Sequence, residues 1–276
     1  MSENCDHNCG GCGENCESRQ QPQSFLVEQN AKSDVKHVIG VVSGKGGVGK
    51  SLVTALLATA FKKKGFKTGI LDADITGPSI PKIFGTAKPA GASEDGIEPA
   101  LSEDGMKFIS INSLLPNDSD PVIWRGPVIA GVVKQFWQDV VWGDIDYLFV
   151  DMPPGTGDVP LTVFQSLPVN GVVVVSSPQE LVEMIVGKAV KMARMMKVPV
   201  LGLVQNMAYF ECPDCGKKHY IFGKTDINDI AGRFMIRATG EIPVDPSIAE
   251  HCDQGKVEQI ENEWLDDIVE RILKAQ

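Results

Sequence analysis

Eight consecutive residues, Gly44-Lys45-Gly46-Gly47-Val48-Gly49-Lys50-Ser51, have the spacing that wraps a chain around phosphates. Glycines let successive backbone N–H groups curl around phosphate oxygens, while the closing Lys50 and Ser51 serve the terminal phosphates and a Mg2+ ion. The loop holds one lysine more than such a site requires. Lys45 is either a solvated surface charge or a cation that points where its own site has little need of it. A second chemistry belongs to sulfur. Seven cysteines are present: Cys5, Cys9, Cys12 and Cys16 near the start, Cys212 and Cys215 in Cys-Pro-Asp-Cys, and Cys252 alone. The third is carried by carboxylates at the ends of apolar runs, in Leu71-Asp72-Ala73-Asp74 and Phe149-Val150-Asp151. An Asp just past a strand beside a phosphate loop holds Mg2+ directly or through water, which is the role read for Asp151. The Pro-Pro-Gly-Thr-Gly segment after it reads as a switch, with the Gly155 backbone N–H offered to a γ-phosphate. Asp72 and Asp74 fit a first switch that orients or activates water. The bland alternative for each Asp is a helix cap.

The elements that must position these groups are legible as alternating patterns. The run Val38-Ile39-Gly40-Val41-Val42 reads as a buried strand, and Leu52–Lys64 reads as the helix whose N-terminus faces the phosphates. That first strand is expected to span His37–Ser43, and further strands are expected at Thr68–Asp72, Phe108–Asn112, Tyr147–Asp151, Gly171–Ser176, Val200–Asn206 and Arg237–Ile242. Further helices are expected at Val128–Val141, Gln179–Met196 and Gln259–Lys274. Such alternation implies an α/β fold, a doubly wound, mostly parallel sheet with helices on both faces and ligands at the carboxyl ends of the strands. The first 34 or so residues, rich in Cys, Asn, Gln, Ser and Glu, read as a flexible tail carrying ligands, followed by one domain over 35–276.

Composition narrows the classes. Hydrophobic residues make up 43% and charged ones 22%, which is ordinary globular usage. No apolar run approaches the ~20 residues of a membrane span, and the N-terminal residues lack the basic and apolar regions of a secretory signal. A cytoplasmic protein is expected. The net charge of -10 opposes nonspecific binding to DNA or anionic lipid, so neither nucleic acid nor membrane is expected as a partner. In a reducing compartment structural disulfides are not the expected use of cysteine, which leaves metal ligation or redox work.

The pair Cys212 and Cys215 supplies only two of the four ligands that a zinc ion or an iron-sulfur cluster takes. The tail thiolates, Cys252 or the same pair on a second subunit can complete it. A redox dithiol is a weaker reading, because Pro213 directly follows the first cysteine and no helix pattern begins there. A four-iron four-sulfur cluster held between two subunits is preferred, since two pairs across a symmetry axis make four thiolates. The C-x3-C-x2-C-x3-C run of the tail provides four thiolates of its own, for a second cluster or for zinc.

The loop form Gly-Lys-Gly-Gly-Val-Gly-Lys-Ser resembles the deviant Walker A loop of the MinD/ParA/nitrogenase-iron-protein class of P-loop NTPases. That resemblance implies ATP as the nucleotide, a homodimer, and Lys45 reaching across it to the partner's nucleotide. Taken with Asp72-Ala73-Asp74-Ile75-Thr76-Gly77-Pro78-Ser79, Trp124-Arg125-Gly126-Pro127, the segment Asp151–Asp158 and Cys-Pro-Asp-Cys, the chain resembles the Mrp/ApbC family of iron-sulfur cluster carrier ATPases. The match runs from about Val35 to Ile260. It implies an ATPase that assembles a cluster and transfers it to apo iron-sulfur proteins, with Asn206 against the adenine and Pro243 nearby. Gln205 stands where that family usually has Glu, which removes a carboxylate beside the base contact. Two other functions share the fold: a positioning ATPase of the MinD or ParA type, and a metal-centre reductase or insertion NTPase.

Overall fold

The computed structural model describes residues 25–74, 77, 79–111, 126–178 and 182–275. In chain order the strands are β1 (Asp34–Ser43), β2 (Thr68–Asp72), β3 (Gly91–Ser93), β4 (Gly96–Glu98), β5 (Ala100–Leu101), β6 (Lys107–Ile109), β7 (Asp144–Asp151), β8 (Val169–Ser176), β9 (Val200–Gln205), β10 (Phe210–Glu211), β11 (Lys218–His219) and β12 (Thr239–Glu241). The helices are α1 (Lys50–Lys63), α2 (Ile80–Phe84), α3 (Gly126–Gln138), α4 (Asp158–Ser166), α5 (Val182–Met195), α6 (Ile227–Phe234), α7 (Pro246–Asp253) and α8 (Asp266–Leu273). Among the described residues eight strands form one sheet in the order β12-β9-β8-β1-β7-β2-β6-β5. Every pairing in it is parallel except β5 with β6. The expected α/β architecture is therefore the observed one.

Strand alternation divides the core in two. Val38 and Val42 of β1, Leu148 and Val150 of β7, and Val172 and Val174 of β8 face one layer, together with Val133, Phe136 and Val186. Ile39 and Val41, Tyr147 and Phe149, and Val173 and Val175 face the other, with Leu56, Leu57 and Phe61 of α1. A strand with helices on both sides has no solvated face, so it reads as a continuous apolar run. Each such side chain contributes about 1.5–3 kcal/mol on burial. The phosphate loop sits between β1 and α1, so both layers hold it.

Several boundaries differ from the sequence expectation. The third strand, expected at Phe108–Asn112, spans Lys107–Ile109, and Asn112 lies outside the described residues. The expected strand Arg237–Ile242 shortens to Thr239–Glu241. The expected last helix, Gln259–Lys274, is a 3-10 turn at Val257–Gln259, a non-helical stretch, and then α8. Tertiary contacts hold that stretch open: Lys63 Nζ donates to Ile260 O at 2.9 Å, Asn262 Nδ2 to Leu56 O at 3.3 Å, and Ile260 and Leu265 are buried. Helical periodicity along 259–274 did not register this docking onto α1. Contacts to the body begin ahead of Val35, where Val27 N–H donates to Ser166 O and Trp137 Nε1 to Val27 O, each at 2.9 Å. The helices α4, α6 and α7 were not expected from the sequence, each being only eight or nine residues long.

Candidate nucleotide and metal sites

The strands β1, β2, β7, β8 and β9 all end at one edge, and the chemistry collects there. After Ser43 the chain turns through Gly47 and Gly49, both with positive φ (76° and 77°), a backbone that L side chains rarely adopt. A Cβ on Gly49 would collide with Asn206 Nδ2, so any side chain here must displace the Asn206 amide. Ser43 and the loop from Lys45 to Leu52 line a cleft of about 440 Å3, with Asp74, Gly77, Ser79, Ile83, Pro154 and Cys252 completing the walls. Lys45 is exposed at its rim.

Inside the cleft a buried charge cluster has formed. Lys50 Nζ donates to Asp151 Oδ1 at 2.5 Å and lies 3.4 Å from Asp74 Oδ2. Ser51 Oγ donates to Asp151 Oδ2 at 2.5 Å, and the Thr54 hydroxyl lies 3.0 Å from Asp151 Oδ1. A buried lysine with no partner would carry a heavy desolvation cost, and the two carboxylates offset it. The arrangement suits a Mg2+ nucleotide. Ser51 and Asp151 already converge, as two oxygen ligands of one Mg2+ must, and phosphate oxygens can take over Lys50. Thr54 escaped the sequence reading, although its place one turn along α1 from Lys50 puts both on one helix face.

Asp72 is 1% exposed, and its Oδ2 makes no hydrogen bond of ordinary geometry. Burial, then the charge of Asp151, push its carboxyl well above the usual carboxylate range, while Lys50, the Asp74 N–H and Ser110 draw it back only partly. Its other oxygen accepts from the Asp74 backbone N–H at 3.0 Å. The Asp72 side chain thus shapes the turn that presents Asp74. The structure does not find a free donor at Gly155: that N–H donates to Ser43 O at 2.8 Å, tying the segment after β7 to the end of β1. Contact with a γ-phosphate requires this bond to open. Ile75, Thr76, Pro78 and the segment Trp124-Arg125 lie outside the described residues.

Asn206 closes the other side of the loop. It is buried, and its Nδ2 donates to Val48 O at 3.0 Å. Ile242 N–H donates to Gln205 O and Ala208 N–H to Ile242 O, which keeps Pro243 at the same end of the sheet as Asn206.

The cysteine pair lies just past this point, at the tip of the hairpin formed by β10 and β11. Gly216, with φ 68°, closes the turn by donating to Cys212 O at 2.9 Å, and Cys212 N–H donates to Lys217 O at 3.0 Å. The Asp214 and Cys215 backbone N–H groups, then the Cys215 side chain, draw the Cys212 thiol below its ordinary range. This is a knuckle in which backbone amides favour thiolate, the form that ligates metal. Cys212 is half-buried and Cys215 exposed. Cys252 sits on α7 against the phosphate cleft, its thiol pushed up by burial and by Asp253. Among the described residues no three His, Cys, Asp or Glu side chains gather as a metal site, and Cys252 lines the phosphate cleft. Cys5, Cys9, Cys12 and Cys16 lie outside the described residues.

Known proteins resemble this chain in sequence and in fold. The chain is 47% identical over 234 residues, 82% of each sequence, to the iron-sulfur cluster carrier protein of Clostridium perfringens. It is 44% identical over 259 residues, 90% of this chain and 89% of the relative, to the iron-sulfur cluster carrier protein of Methanocaldococcus jannaschii. A nucleotide-binding protein of Archaeoglobus fulgidus, solved with ADP, superposes with TM-score 0.76 at 47% identity, covering 84% of this chain and 91% of its own. The cell division ATPase MinD of Pyrococcus furiosus superposes with TM-score 0.57 at 20% identity over 87% of this chain and 99% of its own, a likeness of fold. The sequence model of the ParA-type NUBPL iron-transfer P-loop NTPases matches residues 34–275, and the chain belongs to that family.

Proposed function

We propose that this protein is an ATP-binding and ATP-hydrolysing carrier that assembles an iron-sulfur cluster between two copies of the chain and hands it to apo-proteins. The observation that carries the reading is the Cys212–Cys215 knuckle: two thiolates on an exposed hairpin, half of a four-thiolate site, a few residues beyond a strand end that also touches the phosphate loop. A second copy supplies the missing half. The relatives named as cluster carriers support cargo of this kind.

In this reading the loop N–H groups and Lys50 take the phosphates, and Ser51 with Asp151 hold Mg2+, which supplies charge neutralisation at the phosphoryl oxygens. Lys50 leaves Asp151 for the phosphates as the nucleotide enters. Asp74 orients the attacking water, and Asp72 fixes the turn that aims it. Lys45 reaches the partner's nucleotide and stabilises charge on the transferred phosphoryl group only when the two copies close. Opening of the Gly155–Ser43 bond lets the switch after β7 report the γ-phosphate. The tail cysteines form a second site, for a cluster or for zinc.

A membrane-positioning role finds no support at the chain's end. The helix α8 spends its apolar residues Ile268, Val269 and Ile272 in the core and shows Asp266, Asp267 and Glu270 outside, the reverse of a basic membrane-binding helix. Among the described residues no helix is long and apolar enough to cross a membrane.

Anaerobic reconstitution tests the reading, with iron and acid-labile sulfide counted in chains whose Cys5, Cys9, Cys12 and Cys16 are changed to Ser. Loading that disappears in the further double variant Cys212→Ser, Cys215→Ser is expected. Loading unchanged by that pair would refute the assignment.

A further inference from the structure

Resting on the proposed role of Cys212 and Cys215, we propose that Tyr209 and Lys218 are a positioning pair. They seat the cysteine hairpin on the nucleotide loop, so that an occupied loop fixes where the two thiolates stand. The physical route begins at the peptide between Val48 and Gly49. Its carbonyl accepts from Asn206 Nδ2 at 3.0 Å, and the C=O and N–H of a trans peptide point opposite ways. The Gly49 N–H is therefore directed away from Asn206, on a residue that lines the phosphate cleft. A phosphate that turns this peptide must move the acceptor that Asn206 holds. The Asn206 amide also packs directly against Gly49, where an added Cβ would collide with it.

Beyond Asn206 the backbone is pinned at each step. Asn206 N–H donates to Ser176 O, Met207 takes a left-handed turn at φ 56°, and Ala208 N–H donates to Ile242 O. Tyr209 is the last buried residue on the way out, and Val244 N–H donates to its carbonyl at 2.7 Å. From residue 213 through 224 every residue is exposed. The placement of the knuckle therefore depends on how its two strands are seated at Tyr209. The outgoing strand continues directly from that residue. The returning strand is held by Lys218, whose Nζ lies 3.8 Å above the Tyr209 ring, within cation–π range. Lys218 also pairs in register with Glu211, the residue before Cys212. One aromatic ring thus fixes both strands of the hairpin, three residues from the first thiolate and three from the amide that reads the loop.

Hydrogen–deuterium exchange of the intact, iron-free chain, with and without Mg-ADP, tests this segment by segment. Nucleotide should slow exchange about threefold or more both in the loop at 44–56 and in the segment 208–219. In Lys218→Met, and independently in Tyr209→Leu, protection of the loop should persist while that of 208–219 falls by more than half. Loop protection in either variant certifies a folded nucleotide site, so a lost hairpin response is not a folding failure. A parent hairpin that ignores bound nucleotide, or variant hairpins that keep the full response, would overturn the proposal. Iron is absent from this readout. A failure of the cluster assignment appears instead as unchanged iron loading in the cysteine variants, and the two failures are distinguishable.

Discussion

Asp72 holds its carboxyl in a place that favours the neutral form, with burial as the main cause and Asp151 as the second. The folded chain therefore keeps a proton that the unfolded chain releases in the ordinary carboxylate range near pH 4. Stability tied to that proton is full below this range and is lost as pH rises toward the folded pKa. Asp72→Asn removes the penalty, so its melting temperature should exceed the parent's by a few degrees at pH 8, at roughly 2–4 °C per kcal/mol, and by little near pH 4. Differential scanning calorimetry across that interval measures it, and a gap that does not widen with pH would refute the assignment. Lys45 belongs to the opposite kind of residue, exposed at the cleft rim and proposed to act on another chain's nucleotide. Lys45→Ala should bind ATP within a few-fold of the parent and hydrolyse it about 1,000-fold more slowly, the scale of a trans-acting cation. Unchanged turnover removes the trans role.

Among elements, the phosphate loop and its neighbours were the most legible in the sequence, because each glycine there answers a backbone need that no other residue meets. Gly49 combines a left-handed φ with contact to Asn206. Gly49→Ala should cost roughly 1–2 kcal/mol for the backbone alone and weaken nucleotide binding further by pushing Asn206 away, which isothermal titration with ADP reads directly. The strands β1, β2, β7, β8 and β9 were equally plain, since burial on both faces writes an uninterrupted apolar run. Their ends mark Asp72 and Asp151 as site residues from pattern alone, whereas Asn206 is marked by the family resemblance. Less could be read where tertiary contacts override local pattern. The stretch between Gln259 and Asp266 alternates like a helix yet is drawn open across α1 by Lys63 and Asn262. Thr54 at the Asp151 carboxylate and Cys252 at the cleft wall were likewise invisible, because their roles depend on which helix packs where. The sequence offers the Gly155 N–H to a γ-phosphate but does not reveal its partner in this structure, Ser43 O, a conformational choice that composition cannot encode.

At the scale of the molecule, two incomplete sites point to the same remedy. The nucleotide cleft carries an extra lysine at its rim, and the hairpin carries two thiolates where a cluster takes four. In the proposed dimer a second copy completes both, and the segment from Asn206 to Cys212 is proposed to join them within one chain. The stoichiometry of the cargo is accordingly the quantity on which the account turns. Native mass spectrometry of the anaerobically reconstituted protein, with Cys5, Cys9, Cys12 and Cys16 changed to Ser, measures it directly. The account predicts a dimer bearing one four-iron four-sulfur cluster per two chains, absent when Cys212 and Cys215 are also changed to Ser. A loaded monomer, or one cluster on each chain, would contradict it.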